Sequence, residues 1–550
     1  MWLAAPLGLV LLGAVAIKDD YFEMSKQLEI MQSAFRELNI YYVDELAPGE
    51  LMETGIQAML AKLDPYTRYF PESKMEDVRF MQTGEYGGVG ASVEPNAAGQ
   101  TVVVDLLEGE PAEQAGLRLG DVLEEVDGRN LQGLTEDQVG ELLQGATGTS
   151  LTLGVRRPGT EGLLTFDLVR AKVKVPDIPY HGMLNDRTGY LALSSFTKTS
   201  GTEVRKALVN LTDSLGATQV VFDLRGNGGG LLREAISIVN LFVAKGEEVV
   251  STKGKTPDWN KSYKTMRTPL LPDIPMVVLV DGSSASASEI VAGTLQDLDR
   301  AVVVGEESFG KGLVQQTKKL AYGTRMKVTV AKYYTPSGRC VQRLDYSHRD
   351  AEGEVHAQAD STLRTFYTRN GRPVLEGRGV LPDVEVPTPE MSYVLAGLLD
   401  QNVLFNFAVE ARDGLTLPDD AENFKVADEV WQRFVAHVEG LEQVPYASRT
   451  SQAFDQLRAT AEKELLSGPN AEALNALESG LEARVVDDLK RHEAEIRDAL
   501  ATELVIHCFN TTGEYRYGLR HDPVAQRAID LLESGEVNRI LAPSSGGQGR

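Results

Sequence analysis

The chain has 550 residues, 42% hydrophobic and 25% charged, an ordinary globular composition with room for three or four domains. Its formal net charge of −25 repels phosphate backbones and anionic lipid, which excludes nucleic acid as a partner. Two cysteines, Cys340 and Cys508, have no metal-ligand spacing and form no disulfide framework, so neither metal nor cofactor is expected.

Trp2 to Ile17 is apolar and uncharged, short for a membrane span, and ends in Ala14-Val15-Ala16. This predicts a signal peptide or an uncleaved anchor over residues 1–17, and a periplasmic location in either case. A helical segment follows over 18–80. Phe22, Leu28, Ile30, Met31, Phe35 and Leu38 repeat at helical spacing. A second helix covers Glu50 to Leu63 and stops at Asp64-Pro65-Tyr66.

Residues 81–172 read as short strands around Ala91–Val93, Thr101–Leu106, Val122–Val126, Ser150–Val155 and Leu163–Val169. Thr135 and Gln138 form a capping-box pair ahead of Val139, Leu142 and Leu143. The loop Tyr86-Gly87-Gly88-Val89-Gly90 can turn backbone N–H groups toward an anion. With Pro111 to Leu117, Gly120-Asp121-Val122-Leu123 and Asp127-Gly128, this stretch resembles a PDZ domain. The resemblance implies capture of a peptide C-terminus on that loop, with Val89, Leu142 and Leu143 near the side-chain pocket.

Over 173–389 strands and helices alternate. Val220-Val221-Phe222 and Val277-Val278-Leu279-Val280 have the unbroken apolar character of strands buried on both faces, as in α/β domains. Beyond residue 390 the pattern is helical, with Leu404–Ala411, Ala427–Val438, Ala453–Leu466, Ala471–Leu504 and Pro523–Leu532 as amphipathic helices. The end, Pro543–Arg550, is expected to be disordered.

Two strand-to-helix junctions carry chemistry. Gly226-Asn227-Gly228-Gly229-Gly230 lacks the Gly-Lys-Ser/Thr of a nucleotide loop, but its backbone can approach a reacting atom. Ser283-Ser284-Ala285-Ser286-Ala287-Ser288 opens a helix whose N-terminus favours developing negative charge. The residues alone leave four serines in competition. Lys311, between Gly310 and Gly312, sits in a tight turn beside apolar strands, where desolvation favours the neutral amine.

Ser284-Ala285-Ser286-Ala287-Ser288-Glu289, Gln296-Asp297, Gly305-Glu306, Phe309-Gly310-Lys311-Gly312 and Gln315 together resemble the carboxyl-terminal processing proteases, which couple a PDZ domain to a Ser–Lys core. The resemblance runs from Tyr86 to about Pro387. It implies a multidomain α/β + β fold: helical lead-in, PDZ domain, crotonase-like α/β protease core and helical extension. It implies Ser286 as nucleophile, Lys311 as general base and Gln315 orienting the lysine. Gly229 and Ala287 would supply the oxyanion hole, Glu289 and Asp297 would support the site, and Arg118 would sense a loaded PDZ domain. The expected partners are proteins with free, nonpolar C-termini, besides a second copy or an adaptor on the helical extension. The core pattern also resembles acyl-CoA-binding crotonases, and an inactive protease scaffold is a further reading. Lys311 and the PDZ module argue against the first, and intact Ser286, Lys311 and Gln315 against the second.

Overall fold

Asp64 shows how the N-terminal segment is built. It accepts hydrogen bonds from Tyr66 N (3.0 Å), Thr67 N (2.9 Å) and Thr67 Oγ1 (3.1 Å), which closes the turn after the helix Pro48–Leu60. The computed structural model describes residues 5–543, apart from 351, 359, 360, 362, 482 and 483. Residues 1–4 of the expected leader and 544–550 of the expected disordered tail lie outside the described residues. The chain divides into two compact units. The first holds the residues up to Met75 together with Gln315–Thr329. Its first helix runs unbroken over Ala5–Tyr41, and Arg68–Phe70 pairs antiparallel with Arg325–Lys327. Among the described residues no helix is long and apolar enough to cross a membrane.

The second unit contains three parts. In the PDZ domain, Ala91–Pro95, Thr101–Leu106, Val122–Val126, Ser150–Arg156 and Leu164–Val169 form an antiparallel sheet in that order. These strands lie within one or two residues of the predicted ones. The predicted capping box forms in both directions, Gln138 N to Thr135 Oγ1 and Thr135 N to Gln138 Oε1. It starts the helix Glu136–Leu143, which buries Val139 and Leu143.

The core is a six-stranded sheet of β1 (His181–Met183), β2 (Thr188–Ala192), β3 (Gln219–Asp223), β4 (Met276–Val280), β5 (Val302–Gly305) and β6 (Val384–Glu385), in sheet order as in chain order. Only the β1–β2 pair is antiparallel. Every residue of β2 to β5 is buried. Alternate side chains face opposite ways, so each strand feeds two cores. Leu191, Val220, Phe222, Val278 and Val303 pack against α1 (Ser200–Val209), α2 (Leu232–Val239) and α3 (Ala287–Asp297). Tyr190, Val221, Val277, Leu279 and Val302 pack instead against α4 (Pro523–Glu533), whose Val524, Ala528, Leu531 and Leu532 cover that face.

The helices after residue 390 have their own core around Phe407, Trp431, Phe434, Leu500 and Leu504. The predicted run Ala471–Leu504 is not one helix. It is divided into Ala471–Leu481, Val485–Arg491 and Glu493–His521. Asp488 Oδ2 accepts from Arg484 N and so restarts the chain as a new helix, which amphipathic spacing alone does not reveal. Cys340 and Cys508 are both free.

The PDZ domain docks on this helical part. Arg412 Nη1 donates to Leu119 O at 2.9 Å, and a Cβ added at Gly120 would meet Val409 Cγ2 at 2.3 Å. Gly120 also has φ +84°, which disfavours any side chain. Gly120→Val is therefore expected to destabilise the protein by about 1–3 kcal/mol through overpacking and strain. Chemical denaturation would measure this, and limited proteolysis should show the PDZ domain released first.

Candidate active site

The turn Asp281–Ala285 carries the chain from β4 into α3, and its serines have different environments. Ser284 is buried, with its Oγ donating to Leu224 O at 2.8 Å. Ser288 is buried, with its Oγ donating to Asn227 O at 2.8 Å. Ser283 is exposed on the turn, where its N–H donates to Asp281 Oδ1. Ser286 differs from all three. It is half-buried at the cap of α3, with φ +56° and ψ −106°. A non-glycine residue there is strained, and such strain persists only where surrounding contacts enforce it.

Those contacts are specific. Ser286 N donates to Glu289 Oε2 at 2.8 Å. Ser286 O accepts from Ile290 N at 2.9 Å and from Tyr333 Oη at 3.1 Å. Burial, and then neighbouring Glu289, pushes the Tyr333 phenol well above its usual range, so it remains a donor.

Glu289 joins this turn to the lysine turn. Its side chain is buried, and four donors converge on it. Oε1 accepts from Ser308 Oγ and Gly310 N, each at 2.7 Å. Oε2 accepts from Ser286 N at 2.8 Å and Lys311 N at 2.9 Å. One carboxylate oxygen thus holds the backbone of both Ser286 and Lys311. Complete burial pushes the carboxyl up from its ordinary value, and the four hydrogen bonds oppose that shift. The lysine turn is also pinned from the other side. Gly312 N donates to Gln342 Oε1 at 2.8 Å, and a Cβ at Gly310 would lie 2.5 Å from Arg343 Cβ.

The glycine loop after β3 lies against Ser286. A Cβ added at Gly229 would sit 2.6 Å from Ala285 O and 2.9 Å from both Ser286 Cβ and Ala287 N. Gly229 N itself donates to Asn227 Oδ1 at 2.8 Å. Ala287 N is among the first N–H groups of α3, which the helix leaves without an intrahelical acceptor. Arg225, at the start of the loop, is held by Asp223 Oδ2 (2.6 Å) and Asp522 Oδ2 (2.5 Å).

Other predicted residues are placed elsewhere. Asp297 is at the opposite end of α3 from Ser286 and pairs with Arg339 at 3.0 Å, both side chains fully buried. The helix of eleven residues separates it from the chemistry, so it anchors the helix C-terminus instead of supporting the site. Arg118 faces Asp413 of the helical part at 3.4 Å, a contact that the sensor expectation does not include. Gln315 belongs to the first unit, where its Nε2 donates to Thr329 Oγ1 at 3.3 Å. In the PDZ domain, Val89 and Leu143 are core residues and Leu142 packs partly buried beside them. Gly87 O accepts from Gly145 N and Val89 O from Ala112 N, while Tyr86 packs edge-on against Phe80. Gly90 O accepts from Leu107 N, and a Cβ at Gly88 would collide with the Tyr86 ring. Sequence reasoning missed Asn227 and Tyr333. Asn227, alone among glycines, was the visible signal; Tyr333 had none, because it arrives from a distant strand.

A strained serine at a strand-to-helix junction, faced by a glycine loop and tied to a lysine turn, defines a serine peptidase, here in a chain with a PDZ domain. The Peptidase family S41 matches residues 187–346, a PDZ domain matches 102–157, and a probable PDZ-protease C-terminal helical domain matches 394–532. A carboxy-terminal-processing protease of Bartonella bacilliformis is 36% identical over 58% of this chain and 73% of its own length. One of Picosynechococcus is 37% identical over 53% of this chain and 70% of its own. Among solved structures, a photosystem II D1 C-terminal processing protease is 26% identical, with TM-score 0.35 over 65% of this chain and 92% of that one. The chain belongs to the carboxyl-terminal processing proteases of peptidase family S41 and is a serine-type enzyme.

Proposed function

We propose that Ser286 is the nucleophile and Lys311 the general base of an endopeptidase that trims exported proteins near their C-termini. The observation that carries this reading is the single Glu289 oxygen that fixes both Ser286 N and Lys311 N, beside the strained Ser286 backbone. Lys311 Nζ, as the neutral amine, takes the hydroxyl proton while Ser286 Oγ attacks the peptide carbonyl. The same proton then passes to the leaving amine, and water releases the acyl group. Backbone N–H groups of Ala287 and the glycine loop hold the oxyanion.

The PDZ domain captures the substrate's free, nonpolar C-terminus by strand addition at residues 86–90. The pinned carbonyls of Gly87, Val89 and Gly90 support this, because they fix the loop that would carry the N–H groups. The apolar leader supports export to the periplasm, which N-terminal sequencing of periplasmic material would check. A second copy or an adaptor on the helical part completes the proposed partners.

Ser286→Ala and Lys311→Ala are each expected to abolish cleavage of a peptide with a nonpolar C-terminus while leaving circular dichroism unchanged. A Lys311→Ala enzyme with full activity would refute the dyad. The same peptide with an amidated C-terminus should bind weakly. Equal binding of the two would refute PDZ capture.

A further inference from the structure

Asn227 is fully buried in the glycine loop, and all its polar groups are engaged. Its Nδ2 donates to Leu193 O at 2.6 Å, just beyond β2. Its Oδ1 accepts from Gly229 N at 2.8 Å, two residues ahead. Its carbonyl accepts from Ala285 N at 3.0 Å and Ser288 Oγ at 2.8 Å, on either side of Ser286. One residue therefore ties the glycine loop to the end of β2 and to the nucleophile turn.

This fixes which loop N–H can meet an oxyanion. Gly229 N–H is turned onto Asn227. Gly229 O accepts from Phe196 N at 3.2 Å. In a trans peptide the next N–H points opposite to that carbonyl. Gly230 N–H is thus directed away from Phe196, across the loop from which Gly229 approaches Ser286 Cβ. We propose that Asn227 is a positioning residue: by holding Gly229 N–H it sets the peptide plane that presents Gly230 N–H, instead of Gly229 N–H, as the loop's oxyanion donor. This rests on Ser286 as nucleophile and sharpens the oxyanion assignment.

The test compares Asn227→Ala and Asn227→Ser in the full chain. Serine can remake the bond to the N–H two residues on, more weakly than asparagine, whereas alanine cannot. Loss of a positioned oxyanion donor lowers kcat by about 10²–10³-fold. The expected result is that fall for Asn227→Ala with KM within about threefold of wild type, and an intermediate kcat for Asn227→Ser. Affinity for a peptide aldehyde, which forms the tetrahedral adduct, should fall in parallel with kcat. A purely structural role would lower the melting temperature and leave kcat and aldehyde affinity of the folded fraction unchanged, which would overturn the proposal. If Asn227→Ala does not fold, Asn227→Ser decides the same question. Labelling of wild type by a fluorophosphonate separates the two readings. An unlabelled Ser286 refutes the nucleophile, whereas a labelled Ser286 with wild-type kinetics in both variants refutes only the role of Asn227.

Discussion

Glu289→Gln is expected to lower kcat at least a hundredfold and to destabilise the protein. All four neighbours of this carboxylate are donors, three backbone N–H groups and the Ser308 hydroxyl. An amide offers one acceptor oxygen and one NH2 group. In one orientation the NH2 faces Ser286 N and Lys311 N; in the other it faces Gly310 N. Each buried donor left unpaired costs about 1–3 kcal/mol. The first orientation also pushes apart the two backbone points that define the catalytic pair. Steady-state kinetics and urea denaturation would check both effects, and an active Glu289→Gln enzyme would exclude Glu289 as the joint.

The pH dependence follows from the same group. Burial raises the Glu289 carboxyl above its ordinary value of 4.5. A raised carboxyl binds its proton more tightly in the folded protein. Its contribution to stability is therefore greatest below 4.5 and is lost as pH rises through the raised folded value. The geometry with four donors requires the ionised form. Activity should accordingly fall on acidification at a pH above the ordinary carboxylate range, while this group alone would make the fold more stable. Protonation of the base Lys311 gives a kcat–pH profile an acid limb of its own, so protonation of Glu289 should steepen that limb, and Glu289→Gln should return it to a one-proton slope in whatever activity remains.

A chain ending at Asp522 is expected to lose its folded core. Removing α4 uncovers Tyr190, Val221, Val277, Leu279 and Val302. Val524, Leu531, Leu532 and Val537 lose burial worth about 1.5–3 kcal/mol each, on the order of 10 kcal/mol together. That matches the whole stability of a typical domain. A gentler probe is Leu531→Ala, which should cost about 2–5 kcal/mol through the cavity it leaves. Size-exclusion chromatography of the truncated chain and calorimetry of Leu531→Ala would test this. A monomeric, cooperatively unfolding truncated chain would show that α4 is dispensable.

The elements most legible in the sequence are those whose signal is local. Thr135 and Gln138 announce a helix start because a capping box is a contact over three residues. Val277-Val278-Leu279-Val280 announces a strand buried on both faces because no alternate position is polar. Ser286 and Lys311 are visible through small residues and glycines that a helix start and a tight turn require. What sequence spacing could not decide is which distant groups meet. The resemblance set Asp297 with Glu289 as a support of the site, yet a helix carries its two ends apart, and Asp297 pairs with Arg339 instead. Glu289 is recognisable as an acidic neighbour, but its four donors come from two separate turns, the nucleophile turn and the lysine turn. The helical end of the chain reads as an appendage, and only the packing shows that α4 is the second covering layer of the sheet. A parallel sheet needs both faces covered. α1 to α3 occupy one face, and the chain supplies the other from far along its length, a contact that no local pattern encodes.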